Sequence, residues 1–221
     1  MEELTLFGII AKGGVLTVPL VLCSLIMVVV AVERFLAFKK ARMNVGSFML
    51  RIRGVLSDRD VERALRICQE SKGPIAAVFE SALEKHGQGR AAMKEAIEDA
   101  GSTEVFYLER YLGILATVAA VAPLIGFLGT VTGMIKAFIK IESLGGNVNA
   151  EVLAGGIWEA MVTTAEGLAV GIPALILYNY FVDKIQKFVF DIESNSTELL
   201  DLMEEAVAYE AQNQPDGDDR I

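Results

Sequence analysis

The sequence has little of what metal-binding, disulfide-stabilised and nucleic-acid-binding proteins depend on. It contains two cysteines and one histidine in 221 residues, and its formal net charge is -9. Cys23 lies in an apolar run and Cys68 in a charged segment, so no disulfide framework is predicted. His86 has no second histidine or cysteine nearby, so no metal site is expected. The acidic balance argues against nucleic acid as a partner, because such partners require a basic patch.

The sequence also lacks the motifs of catalysis. It has no glycine-rich phosphate loop of the P-loop type and no cysteine–histidine pair. Several carboxylates of the middle segment stand at helical spacing among lysines and arginines, as is typical of solvated helix faces: Glu80, Glu84, Glu95, Glu98 and Asp99. We therefore expect neither an enzyme nor a cofactor.

Apolar residues, in contrast, are abundant and clustered. Hydrophobic residues make up 53% of the chain and the mean hydropathy is +0.44, which is unusual for a soluble protein. Three runs, 15–32, 112–135 and 157–182, are each long enough to cross a bilayer as a helix. The first run lacks the basic leader and cleavage site of a signal peptide, so we expect it to be retained. The sequence predicts an all-α membrane protein with three transmembrane helices.

The distribution of basic residues predicts the orientation. Lysines and arginines are concentrated after the first run and follow the third run, whereas the loop between the second and third runs has few. By the positive-inside rule, the amino terminus is periplasmic and the carboxyl terminus is cytoplasmic. The predicted segments are a periplasmic start (1–14), a first span (15–36), a cytoplasmic helical domain (37–111), a second span (112–139), a periplasmic loop (140–156), a third span (157–182), a cytoplasmic helix (183–211) and a disordered tail (212–221).

Two features of the cytoplasmic segments carry further expectations. The helical pattern that starts at Arg90 is predicted to continue through Tyr111 into the second span. The helix after the third span is acidic and amphipathic, which fits either a solvated helix with one packed face or a docking surface for a partner.

The second and third spans contain unusual small residues and prolines. Four glycines form two pairs with four-residue spacing: Gly129, Gly133, Gly167 and Gly171. This spacing favours close approach of helix backbones in a membrane. Pro123 and Pro173 each remove a backbone donor and are predicted to bend their helices.

The same spans contain polar residues that are costly in a bilayer. Glu159 and Glu166 lie within the third run, and a carboxylate there normally faces protein or water and has a function. Thr163 shares their helix face by spacing. Thr130 and Thr164 lie at a similar depth, roughly 7 Å outward of the midplane at 1.5 Å per residue. A ring of several copies would bring these hydroxyls to one level.

At these residues the chain resembles the MotA/TolQ/ExbB proton-channel family, most closely its ExbB and TolQ members. The resemblance covers nearly the whole chain and includes the following motifs: Lys12-Gly13-Gly14, Glu33-Arg34, Leu115-Ala116-Thr117, Ala122-Pro123-Leu124-Ile125-Gly126, Gly129-Thr130-Val131, Glu159-Ala160, Thr163-Thr164-Ala165, Gly167-Leu168, Ile172-Pro173-Ala174 and Tyr178-Asn179.

The resemblance implies a homopentamer in the bacterial inner membrane, around a pore that holds a single-span partner like ExbD or TolR. Proton flow would energise outer-membrane transport through a TonB-like protein or, in the TolQ-like alternative, maintain the envelope through a TolA-like protein. The resemblance assigns the pore roles to Thr130, Thr164 and Glu159. Thr163, which shares a helix face with both glutamates by spacing, is a further pore-lining candidate. Glu166 departs from it, since an apolar residue is common at that position, and it could supply a second carboxylate. A non-conducting membrane scaffold is the alternative from another class.

Overall fold

The computed structural model describes residues 14–143 and 150–212, with side chains at 14–143 and 154–205. The described residues fall into two units. The first, here called the membrane unit, comprises 14–34 and the described part of Tyr111–Phe181. The second, called the helical domain, comprises Phe35–Arg110 and 182–212. The predicted segment 1–14, apart from Gly14, and the tail after Gln212 lie outside the described residues.

All regular structure in the described part of the chain is helical. The helices are α1 (Thr17–Ala41), α2 (Val45–Ser57), α3 (Val61–Glu70), α4 (Pro74–Glu84), a short 3-10 turn (His86–Gln88), α5 (Arg90–Glu109), α6 (Leu112–Ser143) and α7 (Ala150–Gln212). Three stretches are long and apolar enough to cross a membrane: one contains α1, one contains α6 and one lies within α7. The prediction of an all-helical protein with three candidate spans is confirmed.

Helix α1 packs one narrow face against the rest of the membrane unit, and its remaining surface is apolar and exposed. A small cluster joins Leu20 of α1 to Val118 and Ala122 of α6 and to Ala174 of α7. Large apolar side chains of α1 are exposed on the remaining surface: Val18, Val21, Leu22, Leu25, Ile26, Val28, Val29 and Val32. A helix that is apolar outside its packed face is suited to contact with lipid.

A buried arginine lies at the end of the first apolar run. Arg34 is only 3% exposed, and its Nη2 donates to Glu33 Oε1 at 2.6 Å. Its guanidinium also lies 5.6 Å from the centre of the Tyr111 ring. The carboxylate and the aromatic face compensate a charge that would otherwise be costly to bury. This contact joins the end of the first run to the start of α6.

The helix predicted to run from Arg90 into the second span is interrupted, so that prediction is wrong. Helix α5 ends at Glu109 and α6 begins at Leu112. Tyr111 between them has a φ of 67°, in the left-handed region that few non-glycine residues adopt. No glycine or proline marks the break, and the apolar periodicity carries on across it, so the side-chain pattern could not reveal it.

The connection between the second and third spans also differs from its prediction. The loop was expected over 140–156, but α6 continues to Ser143 and α7 begins at Ala150. The loop was predicted between the ends of the apolar spans, whereas helix propagation adds a hydrogen bond per residue and extends both helices beyond those ends.

The helical domain has its own apolar core, built by α2 to α5 and the last third of α7. Phe79 of α4 is fully buried and its ring lies 5.7 Å from that of Phe48 in α2. Leu199 and Met203 of α7 belong to the same core. Of the two interpretations of the acidic tail helix, the structure therefore supports the one with a packed face.

Polar contacts bind the outer face of that tail helix to the domain. Arg90, the first residue of α5, contacts Asp201 at 2.8 Å and Glu204 at 2.5 Å. The hydrogen bond to Asp201 is the main reason that the pKa of Arg90 is raised. Arg53 of α2 donates from Nε to Glu198 at 2.8 Å. These exposed pairs contribute orientation more than stability.

Cys68 in the core of the helical domain provides a test of this packing. It is 1% exposed, and its burial, together with the nearby charge of Glu80, raises its pKa from 9.0 to about 12. The thiolate is the form that reacts with a maleimide. In the Cys23→Ala variant, Cys68 of the folded protein should therefore resist a water-soluble maleimide at about pH 8, and it should react fully once the protein is denatured. Rapid labelling of the folded protein would contradict the buried position of this thiol.

Candidate functional site

The centre of the membrane unit is a close contact between the backbones of α6 and α7. A Cβ atom added at Gly167 would lie 2.6 Å from the carbonyl oxygen of Ala122 and 2.9 Å from the Cα of Gly126. Both neighbours are backbone atoms, so neither can move without moving a helix. At Gly129, an added Cβ would overlap the side chain of Thr163. Only glycine allows this separation of the two helices.

Gly133, Gly171 and Pro123 take part in the same contact. An added Cβ at Gly133 would lie 2.8 Å from Ala160 Cβ, and one at Gly171 would lie 2.5 Å from the ring of Pro123. Pro123 therefore fills the space opposite Gly171. Helix α6 continues through Pro123 and α7 continues through Pro173.

The three threonines singled out by the sequence occupy different positions. Thr130 is half-buried and donates to Phe127 O of its own helix at 2.6 Å. Thr164 is half-buried and donates across the contact to Gly126 O at 2.9 Å. Thr163 is 2% exposed, donates to Glu159 O at 3.0 Å and packs on Gly129.

The pore-lining prediction for Thr163 is therefore corrected. Its side chain is enclosed between α6 and α7 and its hydroxyl already has a partner in its own helix, so it serves helix packing. Helical spacing placed it correctly on one side of α7 but could not tell that α6 covers it.

Glu159 forms an ion pair with a residue that the sequence analysis did not single out. Its side chain is 38% exposed, and Oε1 lies 3.4 Å from Nζ of Lys136 in α6. Lys136 directly follows the uncharged run that ends at Ile135 and lies within the predicted second span, 112–139, but no sequence signal pointed to a partner for it. Because α6 continues to Ser143, this lysine lies two turns inside the helix.

Glu166 contacts a different helix. Thr17 Oγ1, in the first turn of α1, donates to Glu166 Oε2 at 2.9 Å. The other carboxyl oxygen, Oε1, is buried and has no hydrogen-bond partner among the described residues. Thr17 was also not singled out, and its only sequence signal was a hydroxyl at the start of an apolar run.

The arrangement combines two carboxyls, one ammonium group and several hydroxyls in the membrane unit. The two carboxyls lie two helical turns apart on α7, and Lys136 places a cation beside Glu159. The half-buried hydroxyls of Thr130 and Thr164 are oriented by backbone carbonyls. Among the described residues, no group of histidines, cysteines and carboxylates is suited to hold a metal ion.

Fold and site together define a multi-span helical membrane protein with ionisable groups inside its spans. Comparison with known proteins gives the particular family. The chain belongs to the MotA/TolQ/ExbB proton channel family, whose pattern it matches over residues 70–194. The resemblance seen in the sequence is confirmed. With three apolar helices, this membership indicates a multi-pass protein of the inner membrane.

Individual relatives agree with this assignment. The chain is 30% identical over 171 residues to the ExbB-like 3 biopolymer transport protein of Synechocystis sp., covering 76% of this chain and 81% of that protein. It is 28% identical over 190 residues to an ExbB homolog of Methanothermobacter thermautotrophicus, covering 86% and 67%. It is 42% identical over 82 residues to the biopolymer transport protein ExbB of Salmonella typhimurium, covering 37% and 33%.

The contact between α6 and α7 predicts a strong effect of one methyl group. Gly167→Ala would force the helices apart and should destabilise the protein by about 1–3 kcal/mol, the usual cost of overpacking. Gly155→Ala in the same helix is the matched control, since an added Cβ there meets nothing within 4 Å. Thermal unfolding in detergent should show a lower midpoint for the first variant only. Equal midpoints for both would contradict the close contact.

Proposed function

We propose that this chain is the ExbB-like channel subunit of a proton-driven inner-membrane complex. Five copies would surround a pore holding a single-span partner like ExbD, and proton flow would drive outer-membrane transport through a TonB-like protein. The proposal assigns the chain no reaction chemistry, only the passage of protons. Membership of a proton channel family and the names of the ExbB relatives support it.

The observation that carries the proposal is the partly exposed ion pair of Glu159 and Lys136. Their side chains are 38% and 64% exposed, although both lie in helices long and apolar enough to span a membrane. Charged groups facing lipid are costly, so this surface favours contact with water or with other polypeptide. A ring of copies around a hydrated pore provides both.

The orientation in the proposal follows from the lysines and arginines between the first and second spans, which favour a cytoplasmic helical domain. Glu159 and Lys136 then belong to the periplasmic half of the spans. Thr130 and Thr164 would line the path inward of this pair.

A native mass spectrum of the complex, co-expressed with the single-span protein encoded beside it, tests the assembly. We expect a ring of five chains that retains the partner. A monomer or dimer that does not bind the partner would contradict the proposal and leave a non-conducting scaffold as the better description.

Proton flux tests the path. Glu159→Gln should retain assembly but lower flux into vesicles roughly a hundredfold, the lower range for loss of a positioned proton-transfer group. Thr130→Val should lower it as well, because it removes a hydroxyl from the path. Thr132→Val is the control, since this threonine of the same helix also bonds only its own backbone, at Leu128 O and Gly129 O. Full flux in both test variants would refute the path.

A further inference from the structure

The turn at 14–17, which leads into α1, lies against both carboxyls of α7. Thr17 bonds Glu166 Oε2 at 2.9 Å, and Thr17 itself is 6% exposed. Gly14 has a φ of 72°, and an added Cβ there would lie 2.5 Å from Glu159 Oε1. This short turn therefore packs along the acidic face of α7, and it does so by way of one glycine and one hydroxyl.

The two carboxyls differ in how their charge is compensated. Glu159 has Lys136 of α6 as its ion-pair partner. Glu166 receives one neutral hydroxyl at Oε2, while its buried Oε1 has no partner among the described residues. The part of α1 that precedes Glu33 carries no charged side chain, so α1 supplies no cation to Glu166.

Physical chemistry then favours one protonation state. An ionised carboxylate has about four acceptor sites, and a single donor leaves most of them unsatisfied. Glu166 is half-buried, and its Oε1 atom is buried. Holding an anion there, in a membrane span and without a cation beside it, is far more costly than holding a neutral acid with one unbonded hydroxyl. The neutral acid can also accept the Thr17 hydroxyl at its carbonyl oxygen.

We propose that Glu166 is a second proton-binding site, held as the neutral acid in the contact of α1 with α7, and that Thr17 is its positioning residue. Proton uptake converts the carboxylate to the carboxylic acid and release reverses it, with no other reactant. The site is separate from Glu159, whose Oε1 contacts Lys136 instead. Its part in proton passage rests on the function proposed above, but its existence does not.

Infrared spectroscopy of the complex in lipid vesicles at neutral pH tests the site directly. We expect a carboxylic acid carbonyl band that disappears in Glu166→Gln and persists in Glu159→Gln. In Thr17→Val, which keeps the side-chain shape, the band should move to higher frequency because the carbonyl loses its donor. Thr17→Ser, which restores the donor, should return it.

The outcomes separate this inference from the proposed function. Identical carbonyl spectra for wild type and Glu166→Gln would mean that Glu166 is ionised, and the inference would fall whatever the flux. An unchanged band frequency in Thr17→Val would show that Thr17 is not the positioning residue. A role in passage further requires Thr17→Val to lower proton flux by roughly three- to tenfold, the range of one lost hydrogen bond, with recovery in Thr17→Ser. Loss of flux in Glu159→Gln with no Glu166 band would uphold the channel and reject the second site.

Discussion

The contact between α6 and α7 depends on the absence of side chains where the two backbones meet. Gly167 faces the carbonyl of Ala122 and the Cα of Gly126 at distances that leave no room for a Cβ. In a membrane, an apolar side chain gains no hydrophobic free energy by leaving lipid for another helix, because lipid tails are equally apolar. Close packing therefore replaces the hydrophobic effect as the source of stability. This closeness lets Thr164 reach the carbonyl of Gly126 from the opposite helix. The position of this hydroxyl therefore depends on the close contact.

Ionisable side chains in the membrane unit are accommodated in three different ways. Arg34 is buried with a neighbouring carboxylate and an aromatic face. Glu159 keeps a lysine partner and remains partly exposed. Glu166 has only a hydroxyl. Because an ionisable group is costly to place in a membrane span, its neighbours matter. The two glutamates lie on one face of α7 by helical spacing, yet they have different partners.

Much of the fold could be predicted from the sequence because the bilayer imposes simple rules. Spans need about 20 apolar residues, and helices satisfy their own backbone groups, so the three runs identify three helices. The break at Tyr111 could not be predicted in this way. It is a change of one backbone angle, with no glycine or proline to mark it. The enclosure of Thr163 was also out of reach, because helical periodicity says which residues share a face and nothing about which helix covers that face.

The sequence by itself determined the class of protein, its three apolar helices and the residues of α6 and α7 that are costly in a membrane. These properties depend on composition and local spacing, which are written along one chain. Only the tertiary structure decided which partner each polar group has. Lys136 and Glu159 are 23 positions apart, and Thr17 and Glu166 are 149 apart. Such pairs form when helices pack side by side, and their distance in the chain carries no signal of that packing.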